Sequence, residues 1–260
     1  MFATEVNDIV TRRVSPAGSS SLPRESLLNP MLTFDMPPGR LSGCVVGTLL
    51  NHRSAIDALG AAALEAPYKG LPKAPVLFVK PANTLGGPGE PLVVPSDPGE
   101  LSYAATLAVL IGRPASRLTA EIALDAVAGY TLVGDVFVPH DVFHRPSLRF
   151  NARDGFCRIG APVVPSSAVG DPDDLTLRTF VDGALVHTSS TADLQRDIAT
   201  LLVDVTDFMT LQPGDLLLVG RVIDAPRVRA GQTVVIEADG IGRLETRLVA
   251  ASDVGTKEPA

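Results

Sequence analysis

Two kinds of side chain in this sequence could do chemistry: cations that hold carboxylates, and groups that move a proton. Lys80, Arg149, Arg153 and Arg221 are of the first kind. Arginine grips a carboxylate through paired N–H donors, and lysine acts on it as a point charge. His52, His140 and His144 are of the second kind, because imidazole titrates near neutral pH. Each also has an ordinary structural use. Arginines satisfy acids such as Asp154 and Asp193, Asp141 and Asp154 are candidate salt-bridge partners, and an isolated histidine is more often structural than catalytic. Asp193, beside Thr191, stands where a carboxylate stabilises the positive end of a helix. Cys157 follows Arg153-Asp154 in a Gly-Phe-Cys turn and could act as a nucleophile, although a small buried hydrophobe is the better reading.

The elements that must position these groups are mostly strands. Val76-Leu77-Phe78-Val79, Leu107-Ala108-Val109-Leu110-Ile111 and Leu216-Leu217-Leu218-Val219 are short apolar runs stopped by Pro or Gly. Residues 175–186 alternate around Asp182-Gly183, and residues 233–249 alternate around Asp239-Gly240. Asp-Gly supplies the positive φ angles of tight hairpin turns. Three helices are expected, over residues 54–65, 119–128 and 191–208. The last carries Leu194, Ile198, Leu201, Leu202, Val205 and Phe208 at helical spacing. Few helices among many strands, without βαβ alternation, predict an α+β fold that is mainly β.

At 260 residues the chain can bury a sizeable core. Residues 1–40, with Ser19-Ser20-Ser21, scattered prolines and Arg12-Arg13, predict a flexible extension, and Met31 or Met36 is an alternative start. The globular part is expected over residues 41–250, with a polar tail at 251–260. A net charge of −7 argues against nucleic acid as a partner. No apolar run is long enough to span a bilayer and no secretory signal is visible, so a cytoplasmic protein with reduced Cys44 and Cys157 is expected.

The segment Gly129-Tyr130-Thr131-Leu132-Val133-Gly134-Asp135 resembles the Gly-Tyr-Thr-x-x-Asn-Asp segment of the fumarylacetoacetate hydrolase family. The segments 175–183, Thr191-Ala192-Asp193-Leu194, 209–215 and Gly240-Ile241-Gly242-Arg243-Leu244 also occur in the family's order. The resemblance implies that family's β-roll or sandwich with a few peripheral helices. Leu50-Asn51-His52-Arg53-Ser54, Pro67-Tyr68-Lys69, Val79-Lys80-Pro81-Ala82-Asn83-Thr84 and Arg153-Asp154-Gly155-Phe156-Cys157 are similar to one branch. That branch is the N-terminal half, or separate subunit, of the decarboxylase/isomerases of 4-hydroxyphenylacetate degradation. Their implied substrates are 5-oxopent-3-ene-1,2,5-tricarboxylate for decarboxylation and 2-hydroxyhepta-2,4-diene-1,7-dioate for isomerisation.

Family membership implies a metal centre. In active members the aspartate matching Asp135 binds Mg²⁺ or Mn²⁺ with two glutamates of a Tyr-Glu-x-Glu-Leu strand. Alternate residues of a strand share a face, so both carboxylates reach one ion, which stabilises the enolate of a 2-oxo acid. Here the strand reads Tyr103-Ala104-Ala105-Thr106-Leu107, so Ala104 and Thr106 stand in place of the glutamates. The family's acid/base histidine matches Ala55, with His52 three residues early, its lysine matches Asn151, and its Thr-Pro loop matches Arg221-Val222. Asp135 is then only a residual ligand, and no tightly bound cofactor is expected. The basic residues Lys80, Arg149, Arg153 and Arg221 would bind the substrate, with His52 as proton carrier, and cations would replace the metal as electron sink. The alternatives are a non-catalytic partner of a metal-competent paralogue, in a homodimer or hetero-oligomer, and a metal-dependent acylpyruvate or fumarylacetoacetate hydrolase.

Overall fold

The structure, a computed structural model, describes residues 35–36, 39–41, 44–66, 69–140 and 147–253. The expected extension over residues 1–40 and tail over 251–260 therefore lie largely outside the described residues, as do Pro67, Tyr68, Asp141 and His144. The first strands, β1 (Asp35–Met36) and β2 (Gly39–Arg40), form a two-stranded ladder of their own.

Two sheets make up the rest. The larger contains β3 (Val45–Leu49), β4 (Val76–Lys80), β5 (Leu85–Gly86), β7 (Leu101–Ile111), β8 (Val127–Phe137) and β9 (Cys157–Ile159). It is completed by β10 (Val164–Pro165), β13 (Leu216–Leu218) and β14 (Arg227–Val228). Its order is β4-β3-β13-β7-β8-β9-β5, with β10 on β8 and β14 on β7. The smaller sheet has the order β12-β11-β15-β16-β6. Its strands are β6 (Leu92–Val94), β11 (Thr176–Val181), β12 (Ala184–Ser190), β15 (Thr233–Ala238) and β16 (Gly242–Ala250). Both expected hairpins are present as β11–β12 and β15–β16. Asp182 and Gly183 take φ of 49° and 83°, the left-handed pair that a two-residue turn requires.

β7 and β8 are the longest strands and pair along nearly their whole length. Every residue of β7 is buried, as expected of a strand covered on both faces. Strand alternation sorts these residues. Leu101, Tyr103, Ala105, Leu107, Val109 and Ile111 enter the main apolar core with Tyr130, Leu132 and Val136 of β8. Ala104 belongs instead to a small cluster with Phe137, Val222 and Ala225 on the other face. That second face carries Asp135.

Helices differ from expectation in three places. Residues 54–65 split into α1 (Arg53–Leu59) and a 3-10 turn, because Gly60 takes a φ of 46° and ends the α-helix. Residues 119–128 hold no α-helix. A 3-10 turn at Leu124–Ala126 leads straight into β8, whose pairing with β7 overrides the local preference. The third helix, α3, runs only over Ile198–Thr206, since Leu194 bridges to His52 and Gln195 N–H donates to the Asn51 carbonyl. Its N-cap is Asp197, which accepts from Thr200 N–H at 2.7 Å, so Asp193 does not cap it. A short helix, α2 (Leu148–Asn151), follows β8. No described helix is long and apolar enough to cross a membrane.

Candidate functional site

Asp135 sits in the middle of the large sheet, 1 % exposed and directly opposite Ala104 in the β7–β8 register. Alternation places Thr106 on the same face, opposite Val133. These are the positions at which the family implies glutamates. Ala104 offers no ligand atom, and the Thr106 hydroxyl donates to the Leu107 carbonyl at 3.2 Å. Two cations lie on Asp135 instead. Lys80 Nζ is 2.8 Å from Oδ1. Arg221 Nε donates to Oδ2 at 2.6 Å and its NH2 to Oδ1 at 3.1 Å.

Each partner is held from elsewhere. Lys80 ends β4 with a fully buried side chain, and its ammonium also donates to the carbonyls of Val136, Asn151 and Phe156 at 2.7–3.0 Å. An ammonium has three N–H donors, so these four acceptors leave none over for a further ligand. The Arg221 guanidinium lies between the rings of Phe78 and Phe137, at 4.4 and 4.2 Å from their centroids. Such stacking suits the weakly hydrated guanidinium plane. Phe78 can occupy its place only because Gly47 faces it across β3–β4, where a Cβ would lie 2.2 Å from the ring.

Burial pushes the Asp135 carboxyl up, but Arg221 and Lys80 outweigh it and hold it below the ordinary carboxylate value. Burial pushes Lys80 down from the ordinary lysine value against the pull of Asp135. Asp135 therefore stays ionised and shared between two cations.

The described residues around Asp135 do not fit a divalent metal. Mg²⁺ and Mn²⁺ take several oxygen ligands, and among the described residues no three Asp, Glu, His or Cys side chains converge. Asp135 has both oxygens engaged by cations.

The four cations expected to line one pocket fall into two places. Lys80 and Arg221 are on Asp135. Arg149 and Arg153 instead line a cleft of about 480 Å³ with Arg229, Asp97, Glu100 and Phe150. Asn151, which matches the family lysine, is buried beside Lys80 and donates through Nδ2 to the Ser147 carbonyl at 3.0 Å. Asp154 accepts from Asn83 Nδ2 at 2.8 Å. His140 packs edge-on against Phe150, with ring centroids 4.7 Å apart.

His52 precedes α1 and is 6 % exposed, against Leu194 and Gly220. Burial lowers its pKa, with Asp193 and Asp224 pulling the other way and His187 adding to the effect. Sequence reasoning missed His187, whose Nε2 is 2.9 Å from Asp224 Oδ1 and whose buried Nδ1 has no partner among the described residues. It also missed Arg158, 2 % exposed, which donates to the Gly87 carbonyl at 2.8 Å. Nothing local marks either residue, because each partner comes from a distant strand or loop. Cys157 is fully buried and burial pushes its thiol up to about 12, so it is no nucleophile at neutral pH.

The model for the fumarylacetoacetate (FAA) hydrolase C-terminal region matches residues 44–249. The 4-hydroxyphenylacetate degradation bifunctional isomerase/decarboxylase of Escherichia coli is 38% identical over 218 residues, covering 84% of this chain and 50% of that protein. The chain thus spans about half the length of that relative. The crystal structure of 5-carboxymethyl-2-hydroxymuconate delta-isomerase from Mycobacterium smegmatis is 31% identical with a TM-score of 0.66, covering 81% of this chain and 80% of that one. Maleylpyruvate hydrolase from Sphingobium sp. SYK-6, solved with manganese (II) ion and pyruvate, is 27% identical with a TM-score of 0.65, covering 80% of this chain and 70% of that one. The mainly β α+β fold agrees with these relatives, and the chain belongs to the fumarylacetoacetate hydrolase family.

Proposed function

We propose that the chain is a cytoplasmic subunit of the decarboxylase/isomerase system of 4-hydroxyphenylacetate degradation, and that its own Asp135 centre holds no divalent metal. The substrates would be 5-oxopent-3-ene-1,2,5-tricarboxylate and 2-hydroxyhepta-2,4-diene-1,7-dioate. One observation carries the metal-free reading: both oxygens of Asp135 are held by Lys80 and Arg221, opposite Ala104. The guanidinium supplies at that carboxylate the positive charge that a metal ion supplies in relatives with a full ligand set. Identity to the bifunctional isomerase/decarboxylase supports the pathway.

Within that system the geometry favours a supporting subunit beside a metal-competent paralogue, in a homo- or hetero-oligomer. Lys80 has no donor left over, and the family's acid/base position is Ala55, 3 % exposed. A second reading, decarboxylation driven by the cations themselves, draws on the small residual exposure of Arg221 at 7 %. A metal-dependent hydrolase of acylpyruvates fits least, because no set of Asp, Glu, His or Cys side chains that could hold a metal converges among the described residues.

Mn²⁺ titration followed by electron paramagnetic resonance tests the metal-free reading. The expected outcome is no saturable binding by the wild-type chain and a gain of binding in A104E/T106E/R221T. Stoichiometric Mn²⁺ on the wild type overturns the reading. CO₂ release from the tricarboxylate, with Mg²⁺ and then with excess chelator, tests the subunit role. Release that requires the paralogue is expected. Release by the chain alone that survives chelation moves the assignment to the second reading, and release by the chain alone that is lost on chelation overturns both.

A further inference from the structure

We propose that the cleft between α2 and the loops flanking β7 and β14 is a separate binding site for a small dicarboxylate, with Arg149 and Arg229 as its carboxylate-holding groups and Arg153 between charge and scaffold. The cleft, about 480 Å³, is large enough for a short dicarboxylic acid. Three arginines line it against two acids, Asp97 and Glu100. Glu100 is taken by Arg229, whose NH2 lies 2.7 Å from Oε2. Arg153 turns its Nε to the Arg149 carbonyl at 3.2 Å, which fixes one guanidinium relative to the helix. Arg149, exposed on α2, has no acid within ion-pair distance among the described residues. The cleft therefore holds more positive than negative charge.

Its apolar wall tells what lies between the charges. Phe150 and Val138 line the cleft together with two prolines, and Phe150 is braced by the His140 ring at 4.7 Å. Val138 N–H donates to the Phe150 carbonyl at 2.9 Å, which ties α2 to the end of β8. A ligand with charged ends and a hydrocarbon middle matches such a lining, whereas inorganic phosphate would use the charge and waste the apolar surface.

The cleft is distinct from the Asp135 centre but shares a wall with it. Lys80 donates to the Asn151 carbonyl of α2 at 3.0 Å, so the same short helix borders the buried charges and the open cleft. The substrate-binding role expected of four cations together would then fall on Arg149 and on Arg229, with Arg153 beside them, and not on Lys80 and Arg221. The proposal rests on the functional reading above only for the choice of a dicarboxylate over other dianions.

Titration of the full chain with glutarate, followed calorimetrically and by NMR, tests it, with butyrate and inorganic phosphate as the comparison probes. Saturable glutarate binding is expected, with butyrate and phosphate each weaker. R149Q and R229Q should each weaken glutarate by about tenfold, the effect of one lost charged hydrogen-bond pair, with little change in the melting temperature. Binding unaffected by R149Q, or no saturable binding at all, overturns the site. Phosphate binding as tightly as glutarate overturns the ligand class. Either failure leaves the Mn²⁺ result untouched, so the metal-free reading stands or falls separately.

Discussion

Two charged clusters in this molecule use the same chemistry in opposite surroundings. Asp135 meets Lys80 and Arg221 in the sheet interior, with side chains 1, 0 and 6 % exposed. Glu100 meets Arg229 at the rim of the cleft, with side chains 28 and 72 % exposed. Distances are alike, 2.6–2.8 Å. What differs is water. In the interior the charges have given up their hydration and depend on one another, so losing one leaves the others stranded. At the rim each charge can fall back on solvent, and the pair is worth little by itself. The first arrangement makes structure, and the second leaves a guanidinium free to exchange its partner for a ligand.

The largest expected effect breaks the interior arrangement. D135N should lower stability to urea by about 3–5 kcal/mol, because it leaves two buried cations without a counter-charge. K80M/D135L/R221M should lose less than D135N alone, since replacing all the charges removes the desolvation penalty together with the attraction. A triple variant as unstable as the single would mean that the site stabilises through shape and not through charge balance.

Acid titration sharpens the same contrast. Asp135 is held below its unfolded value of about 3.9 by Arg221 and Lys80 against burial. Its contribution is present above that value and is lost as pH falls through it toward the lower folded value. Melting curves of the wild type should therefore drop below about pH 4, and D135N, already weaker, should drop less steeply there.

His52 works in a higher window. Burial lowers its pKa, so the unfolded chain takes up the proton first, and stability falls as pH drops below about 6.5. Asp193, Asp224 and His187 face it and act on the same titration. H52Q should flatten the melting temperature between about pH 6.5 and 5 while leaving the Asp135 limb in place. An unchanged slope would mean that His52 keeps its proton when folded.

The smallest effect is expected at the rim. R229Q should change stability by less than about 1 kcal/mol, and raising salt should erase what difference there is. A loss as large as that of D135N would show that the cleft is a structural joint.

Much of this molecule is legible in its sequence. The hairpin at Asp182-Gly183 follows from the sequence because a two-residue turn needs left-handed φ, which Asp-Gly supplies, whereas β15–β16 turns over three residues between Ala238 and Gly242, with Gly240 at a φ of 77°. The motif order around Asp135 carried the family, and the loss of glutamates at positions 104 and 106 carried the doubt about a metal. The helix expected over residues 119–128 failed because β7 claimed the adjoining chain as a strand partner. That pairing is tertiary and leaves no local trace.

Side-chain types by themselves determined which chemistry was available: cations, few histidines, a lone aspartate on an apolar strand. Only the tertiary structure decided how they are used. Arg221 lies 86 residues from the aspartate it neutralises, and His187 lies 37 from Asp224. Spacing along the chain says nothing about such pairs, since strands far apart in sequence become neighbours when the sheet closes. Whether a cation binds a ligand or balances a buried acid depends on its access to water, and burial is set by the whole fold.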